Sequence, residues 1–181
     1  MELYQGRPDD EDGRQPRELR VYDLLDEIGV EYQRTDHPAA DTMEACQEID
    51  KVLEATVCKN LFLCNRQKTQ FYLLMMPGEK PFKTKEITSQ LGCARLSFAS
   101  EEDMEKYLDI KPGAVSVMGL MNDHDNQVQL VVDEDILSGE YVGCHPCVNT
   151  SSLKIKTTDI FGAYLDKVEH TMIQVKLTGE A

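Results

Sequence analysis

No apolar run in this chain approaches the ~20 residues needed to span a bilayer, so a membrane is not expected as a partner. Gly-x-Gly-x-x-Gly, Walker-type and Gly-x-Ser-x-Gly segments are missing, as is a helical His-Glu-x-x-His. Their absence removes the usual signatures of nucleotide, serine-hydrolase and zinc-protease chemistry. No internal repeat divides the chain, and no second hydrophobic unit defines another domain. The stretch Met1 to Arg20 is polar and acidic, unlike a secretory signal or an Arg-rich transit peptide, and a cytoplasmic protein is expected. Six cysteines (46, 58, 64, 93, 144 and 147) mostly lie in apolar segments, as free thiols do when they pack as small hydrophobes in a reducing compartment. A chain of 181 residues buries roughly two-thirds of its unfolded surface, so no disulfide staple is required.

Basic residues are also scarce, 19 against 33 acidic ones, for a net charge of −14. That balance argues against general nucleic-acid binding, which needs a cationic surface, and DNA is not expected as a partner. The deficit is uneven. Residues 1–54 sum to −10 and residues 96–181 to −9, whereas residues 55–95 hold 7 basic and 2 acidic groups, or +5. Lys59, Arg66, Lys68, Lys80, Lys83, Lys85 and Arg95 supply that excess. A patch there could hold an RNA end but not grip a long duplex; ordinary surface lysines around a hairpin are the alternative.

Periodicity predicts a polar lead-in over residues 1–17 and one domain over 18–181. Leu19, Val21, Leu24, Leu25 and Ile28 recur at helical spacing up to Gly29. Val30 to Thr35 alternates as a strand, and Asp41 with Glu44 suggests a capping box for a helix through Ile49. Ala55 to Cys64 and Gln70 to Met76 read as a hairpin across Asn65–Thr69. Thr84 and Ser100 are expected to cap helices reaching Leu91 and Leu108. Ala114–Leu120 is a short apolar run, strands are expected over Val128–Val132, Tyr141–Gly143 and Met172–Leu177, and Val148–Lys156 is a further extended segment, with a turn of helix at Asp135–Leu137. Thr158 should cap a last helix. Without a regular βαβ rhythm, the fold class is α+β on a largely antiparallel sheet.

Three local features could carry chemistry. Lys59 sits in an apolar strand; sharing a face with Val57, Leu61 and Leu63 would press its ammonium over core, suited to an anion or a polarised carbonyl, while solvent exposure is the alternative. Lys111-Pro112-Gly113-Ala114-Val115-Ser116 could expose successive N–H groups to an oxygen, or be a simple turn into a strand. Cys144-His145-Pro146-Cys147 invites a metal or redox reading, but no second Cys-x-x-Cys completes a site and the following residues read as extended. His37, His124 and His170 are scattered, with surface or hydrogen-bonding roles as the default.

In this order and spacing the three features resemble the YbaK/ProX family, relatives of the editing domain of bacterial prolyl-tRNA synthetases. Lys59-Asn60-Leu61-Phe62-Leu63 is similar to its lysine-bearing strand. Lys111 to Ser116, then Gly119-Leu120-Met121-Asn122-Asp123, resembles its glycine loop and the strand after it. His145-Pro146-Cys147-Val148-Asn149-Thr150 resembles the His-Pro-x-x-Asn-Thr segment of the ProX branch. The likeness spans about residues 18–177.

The resemblance implies a barrel-like α+β fold and hydrolysis of the ester between an amino acid and tRNA, with no metal, no other cofactor and no covalent protein nucleophile. It implies that Lys59 holds the ester carbonyl or terminal phosphate, that Gly113, Ala114, Val115 and Ser116 receive substrate oxygens or the amine-bearing end, that His145 shapes the pocket or meets the terminal adenosine, and that Asn149 supports the loop. The expected partner is aminoacylated proline tRNA at its acceptor end, with prolyl-tRNA synthetase as a candidate second partner. Val117 departs from the family's Gly-x-x-x-Pro. The ProX-like segment favours alanine as the amino acid released; cysteine, or non-catalytic binding of aminoacyl-tRNA or amino acid, are the alternatives.

Overall fold

A computed structural model describes residues 1–40 and 42–180. Its elements run β1 (Tyr4–Gln5), α1 (Pro16–Glu27), β2 (Tyr32–Asp36), α2 (Met43–Leu53), β3 (Lys59–Cys64), β4 (Phe71–Met76) and α3 (Thr84–Leu91). There follow β5 (Ser97–Phe98), α4 (Glu101–Leu108), a 3-10 helix (Val117–Asn122), β6 (Val128–Asp133), α5 (Glu134–Leu137), β7 (Tyr141–Cys144) and β8 (Ser151–Lys156). A helical stretch over residues 157–167, with a π turn at Ile160–Tyr164, leads to β9 (Met172–Val175).

The strands form two sheets, ordered β1-β2-β8-β7 and β5-β3-β4-β6-β9. The first is antiparallel throughout; in the second β3 pairs antiparallel with β4 and β5, while β4, β6 and β9 run parallel. The expected α+β class on largely antiparallel sheets therefore holds. Parallel neighbours require crossovers over the sheet faces, so β4 and β6 are covered on both sides and read as nearly unbroken apolar runs. On one face Phe62, Leu73, Met75, Leu130 and Val132 join Tyr22 and Leu25 of α1 in the main core. On the other, Leu63, Leu74, Met76 and Val131 meet Ile87 of α3, Val175 and Leu177.

The two sheets share the main core and are also joined along a backbone seam. Val57, just before β3, forms a parallel bridge with Gly143 of β7. Cys58 N–H donates to Gly143 O (3.1 Å) and Gly143 N–H to Thr56 O (3.2 Å). A Cβ at Gly143 would lie 2.8 Å from Thr56 O and 2.9 Å from Val57 Cα, so only glycine lets the backbones approach this closely.

Several local expectations are corrected. β3 starts at Lys59 because residues 56–58 pair with β7 instead of β4. The run after the glycine loop is a 3-10 helix, not a strand: Ser116 Oγ accepts from Met118 N–H, and Gly119 packs so tightly on Leu108 and Ile110 that a Cβ would meet Ile110 Cδ1 at 2.7 Å. Its burial on all sides is what made periodicity ambiguous. Lys83 and Lys156, not Thr84 and Thr158, occupy the N-cap positions of their helices, with no side-chain cap. Ser100 does cap α4, accepting from Asp103 N–H at 3.1 Å. Asp41 lies outside the described residues; Thr42 caps α2 by accepting from Ala45 N–H. The lead-in is tethered: β1 pairs with β2, Arg7 meets Glu11 and Asp23, and Arg14 meets Glu18 and Asp36. Among the described residues no helix is long and apolar enough to cross a membrane.

Candidate functional site

Strand alternation places Lys59 with Leu61 and Leu63, facing the second core, while Cys58 and Phe62 face the main core. Lys59 is half-buried at the strand's first position, and its Nζ donates to Lys80 O at 2.6 Å. Lys80 is itself tied off, its ammonium bonded to Asp133 (2.8 Å), Asp135 (2.7 Å) and Leu177 O (2.7 Å). Burial pulls the Lys80 pKa down, but the two carboxylates outweigh it and hold the ammonium above its ordinary value. Beside this entry a cleft of about 260 Å³ is lined by Thr56, Cys58, Pro77, Glu79, Asp135 and Tyr141.

The neighbouring residue turns the other way. Asn60 Nδ2 donates to Cys58 O (3.2 Å), leaving Oδ1 buried and without a partner among the described residues. A buried amide oxygen left unpaired costs about 1–3 kcal/mol, a local expense at the start of β3.

The glycine loop stands against the turn between β7 and β8. Gly113 has φ +90°, and a Cβ there would lie 3.3 Å from Asn149 Nδ2. Ala114 N–H closes the turn on Lys111 O (3.2 Å), whereas the N–H groups of Gly113, Val115 and Ser116 find no protein acceptor among the described residues. Ser116 is fully buried, its hydroxyl used as the cap. Val117, at the position where the resemblance leads one to expect proline, is buried, and its carbonyl accepts from Tyr164 OH at 2.8 Å. A buried hydroxyl thus pins the loop where a proline ring would otherwise restrict it.

His145 begins the opposing turn. Its Nδ1 lies 3.0 Å from Ser151 O and 3.3 Å from Ser152 Oγ. A carbonyl only accepts, so Nδ1 carries the proton and Nε2 is left as an acceptor. Burial, with lesser influence from nearby His37, lowers the His145 pKa, favouring the neutral ring. His37 is held the same way: Nδ1 donates to Pro38 O (2.8 Å), and Nε2 accepts from Ser152 Oγ (2.8 Å). One hydroxyl therefore links two histidines whose rings stand 6.3 Å apart. Ser151 Oγ donates to Asp36 (2.6 Å), which Arg14 also engages (2.9 Å), fixing the strand behind them.

Cys144 and Cys147 are fully buried, and burial raises both thiols, Cys147 to about 12, which keeps them protonated and poorly nucleophilic. Among the described residues no three His, Cys, Asp or Glu side chains converge as a metal would require.

The structure thus brings Gly113 to Asn149 and sets His145 at the start of the same turn. Lys59 connects to them through the Cys58–Gly143 pairing, but its ammonium turns toward Lys80 O. His37 and Ser152 were not singled out from sequence. One signal was available: His37-Pro38 repeats the His145-Pro146 dipeptide.

Comparison with known proteins adds a family. The model of the aminoacyl-tRNA editing domain matches residues 37–162. The prolyl-tRNA editing protein ProX of Acetoanaerobium sticklandii is 32% identical over 136 residues, covering 75% of this chain and 83% of that protein. Prolyl-tRNA synthetase associated domain-containing protein 1 of Danio rerio is 26% identical over 162 residues, 87% of each chain. A solved structure of a candidate trans-editing enzyme for prolyl tRNA synthetase superposes with a TM-score of 0.66 over 91% of this chain and 99% of that one; at 17% identity this likeness concerns the fold alone.

Proposed function

Since the chain belongs to the aminoacyl-tRNA editing domain family, we propose that it is a free-standing deacylase that removes a mischarged amino acid, alanine first among the candidates, from proline tRNA. The observation that carries this reading is the wall formed where Gly113 faces Asn149, so close that an added Cβ would lie 3.3 Å from Asn149 Nδ2, with free N–H groups on one side and neutral His145 on the other. Such a wall offers donors to an ester's developing oxyanion and an acceptor to a ribose hydroxyl.

An aminoacyl ester is already activated, so placement and a preorganised oxyanion site supply most of the acceleration. In the proposed reaction a water oxygen attacks the ester carbon and the carbonyl electrons move onto oxygen, held by the N–H groups of Gly113 and Val115, the accessible members of the loop. Collapse breaks the bond to the ribose oxygen, and the water's proton passes to that oxygen by way of the neighbouring ribose hydroxyl. Lys59 exchanges the neutral Lys80 O for an anionic phosphate or polarised carbonyl, a stronger, charge-assisted bond. Asn149 keeps the glycine loop in place. No protein atom becomes covalently attached. The partner is the acceptor end of proline tRNA.

The test is a deacylation series on alanyl, cysteinyl, seryl and prolyl esters of proline tRNA. Alanine should be released with turnover and proline spared, and Lys59→Ala should remove most activity. Full activity in that variant would defeat the role given to Lys59; binding without turnover of any ester would defeat the deacylase.

A further inference from the structure

The far end of β3 carries a second feature that the ester site does not use. A cleft of about 620 Å³ is lined by Asn65, Arg66, Lys68, Arg95, Ser97 and Phe98. The three cations are exposed. Arg66 and Arg95 enter no ion pair among the described residues, and Lys68 reaches Asp103 only at 4.0 Å. Phe98 is 64% exposed, above the other exposed large apolar side chains described. Its ring is backed by Phe82 with centroids 5.8 Å apart, so it is held as a platform rather than left to rotate freely. It belongs to β5, a two-residue edge strand too short to recruit another strand.

An exposed aromatic among unpaired cations is the pairing that single-stranded nucleic acid requires: a flat apolar face for a base and positive charge for its phosphates. The charge argument is selective here, because these cations lie in the +5 segment of a chain whose remaining two segments sum to −10 and −9. An acidic peptide would satisfy the cations but leave Phe98 without use.

We infer that this cleft binds the 3′ strand of the substrate tRNA, a base stacking on Phe98 and phosphates lying against Arg66, Lys68 and Arg95. The inference rests on the deacylase reading and extends it from the ester to the RNA. The distances agree. From Lys59 to Cys64 the strand rises about 17 Å at ~3.4 Å per residue. Stacked nucleotides advance ~3.4 Å each along one strand, so an ester near Lys59 places the fourth to sixth nucleotides over the cleft. Those are the last unpaired nucleotide and the start of the acceptor stem.

The experiment compares proline tRNA carrying alanine with the alanyl ester of adenosine alone. The variants are the triple change Arg66→Gln, Lys68→Gln, Arg95→Gln, and separately Phe98→Ala, with Phe98→Tyr as the conservative rescue. All four positions are exposed, and thermal unfolding checks that the fold is kept. For the triple variant KM on the tRNA ester should rise at least tenfold with kcat unchanged. The slope of log KM against log salt should fall by about 2, at ~0.7 for each of three phosphates. Phe98→Ala should raise KM about tenfold and Phe98→Tyr should restore it. The adenosine ester should be hydrolysed equally by all forms. Unchanged KM and salt slope on the tRNA ester would overturn the inference, leaving an acidic protein segment as the cleft's occupant. Equal losses on both substrates would overturn it too, since the cleft would then act through the ester site. If the unaltered protein hydrolyses neither ester, the deacylase reading fails by itself. Affinity for uncharged proline tRNA, and its salt slope in the triple variant, then still decides the cleft.

Discussion

Replacing Gly143 by alanine should damage the protein more than its small volume change implies. Gly143 exchanges two backbone hydrogen bonds across the seam, at 3.1 and 3.2 Å. An added Cβ would sit 2.8 Å from Thr56 O, with Thr56 C and Val57 Cα at 2.9 Å, and backbone atoms cannot rotate aside as a side-chain tip can. Ordinary contact begins at 3.4 Å, so the seam must open by about 0.6 Å. Weakening two buried backbone bonds costs ~1–3 kcal/mol each if their groups lose their partners. Reduced freedom of the unfolded chain returns ~0.4–1 kcal/mol. A net loss of about 2–4 kcal/mol is expected, a large part of the ~5–15 kcal/mol that holds such a domain folded. Urea unfolding measures it, with the m value unchanged if the unfolded state is unaffected. Gly139→Ala is the internal control, since its Cβ would find nothing nearer than 3.6 Å. Hydrogen exchange at the Cys58 amide reports the seam itself. If Gly143→Ala falls within about 1 kcal/mol of Gly139→Ala and the Cys58 amide stays protected, the reasoning about the seam is wrong.

Tyr164→Phe removes the donor to Val117 O, and should cost about 1–3 kcal/mol in urea unfolding while raising KM for the ester as the glycine loop loosens. Ser152→Ala deletes the hydroxyl shared by the two histidines; imidazole nitrogen shifts should show His37 Nε2 losing its donor, and kcat should fall more than stability does. Because burial lowers the His145 pKa, deacylation should be level near neutrality and fall as pH drops through that lowered value; a rate that stays level across the pH at which imidazole nitrogen shifts show His145 protonating would exclude it as an acceptor. Burial lowers His170, but its bond to Asp123 outweighs that and raises its pKa, while Asp123 is lowered. Their contribution to stability is therefore lost as pH rises through the raised His170 value, and again as it falls through the lowered Asp123 value; His170→Gln should flatten the alkaline limb of a stability profile. A thiol reagent at pH 8 should modify exposed Cys46 first and reach Cys58, Cys144 and Cys147 only on unfolding.

The helices and strands with one exposed face were legible because their periodicity survives in the sequence. Val21, Leu25 and the Gly29 stop announce α1, and the turn chemistry of Asn65 to Thr69 announces the hairpin, whose Asn65 Oδ1 accepts from Thr69 and Gln70 N–H. The run after Ser116 was misread for a physical reason. Val117, Met118, Gly119 and Leu120 are all buried, so no alternation marks strand from helix. The site was legible in part. Gly113 advertised a left-handed backbone, but its neighbour Asn149 is brought in by tertiary packing that no local pattern encodes. Lys59 was readable as a lysine on a core-facing strand, with its face left open. That face is fixed by the seam, since pairing of residues 56–58 with β7 sets the register in which Lys59 enters β3.

The acidity of the chain, an objection to an RNA substrate when taken as a sum, becomes directional once the charges are placed. At physiological ionic strength a charge is screened beyond ~8 Å, so RNA responds to the local face and not to the total of −14. Lys80 adds little to attraction, because Asp133 and Asp135 neutralise it, and its part is to present its carbonyl to Lys59. Arg7, Arg14 and Arg20 are likewise spent on carboxylates. Among the cations that enter no close ion pair in the described residues, Lys59 stands at one end of β3 and Arg66 and Arg95 line the cleft at the other, with Lys68 beside them at 4.0 Å from Asp103. Elsewhere the acidic surface repels phosphate and penalises other approaches of the tRNA. A weakly cationic face on a strongly anionic body therefore yields orientation at little cost in non-specific binding, which suits a protein that must release every correctly charged tRNA it meets.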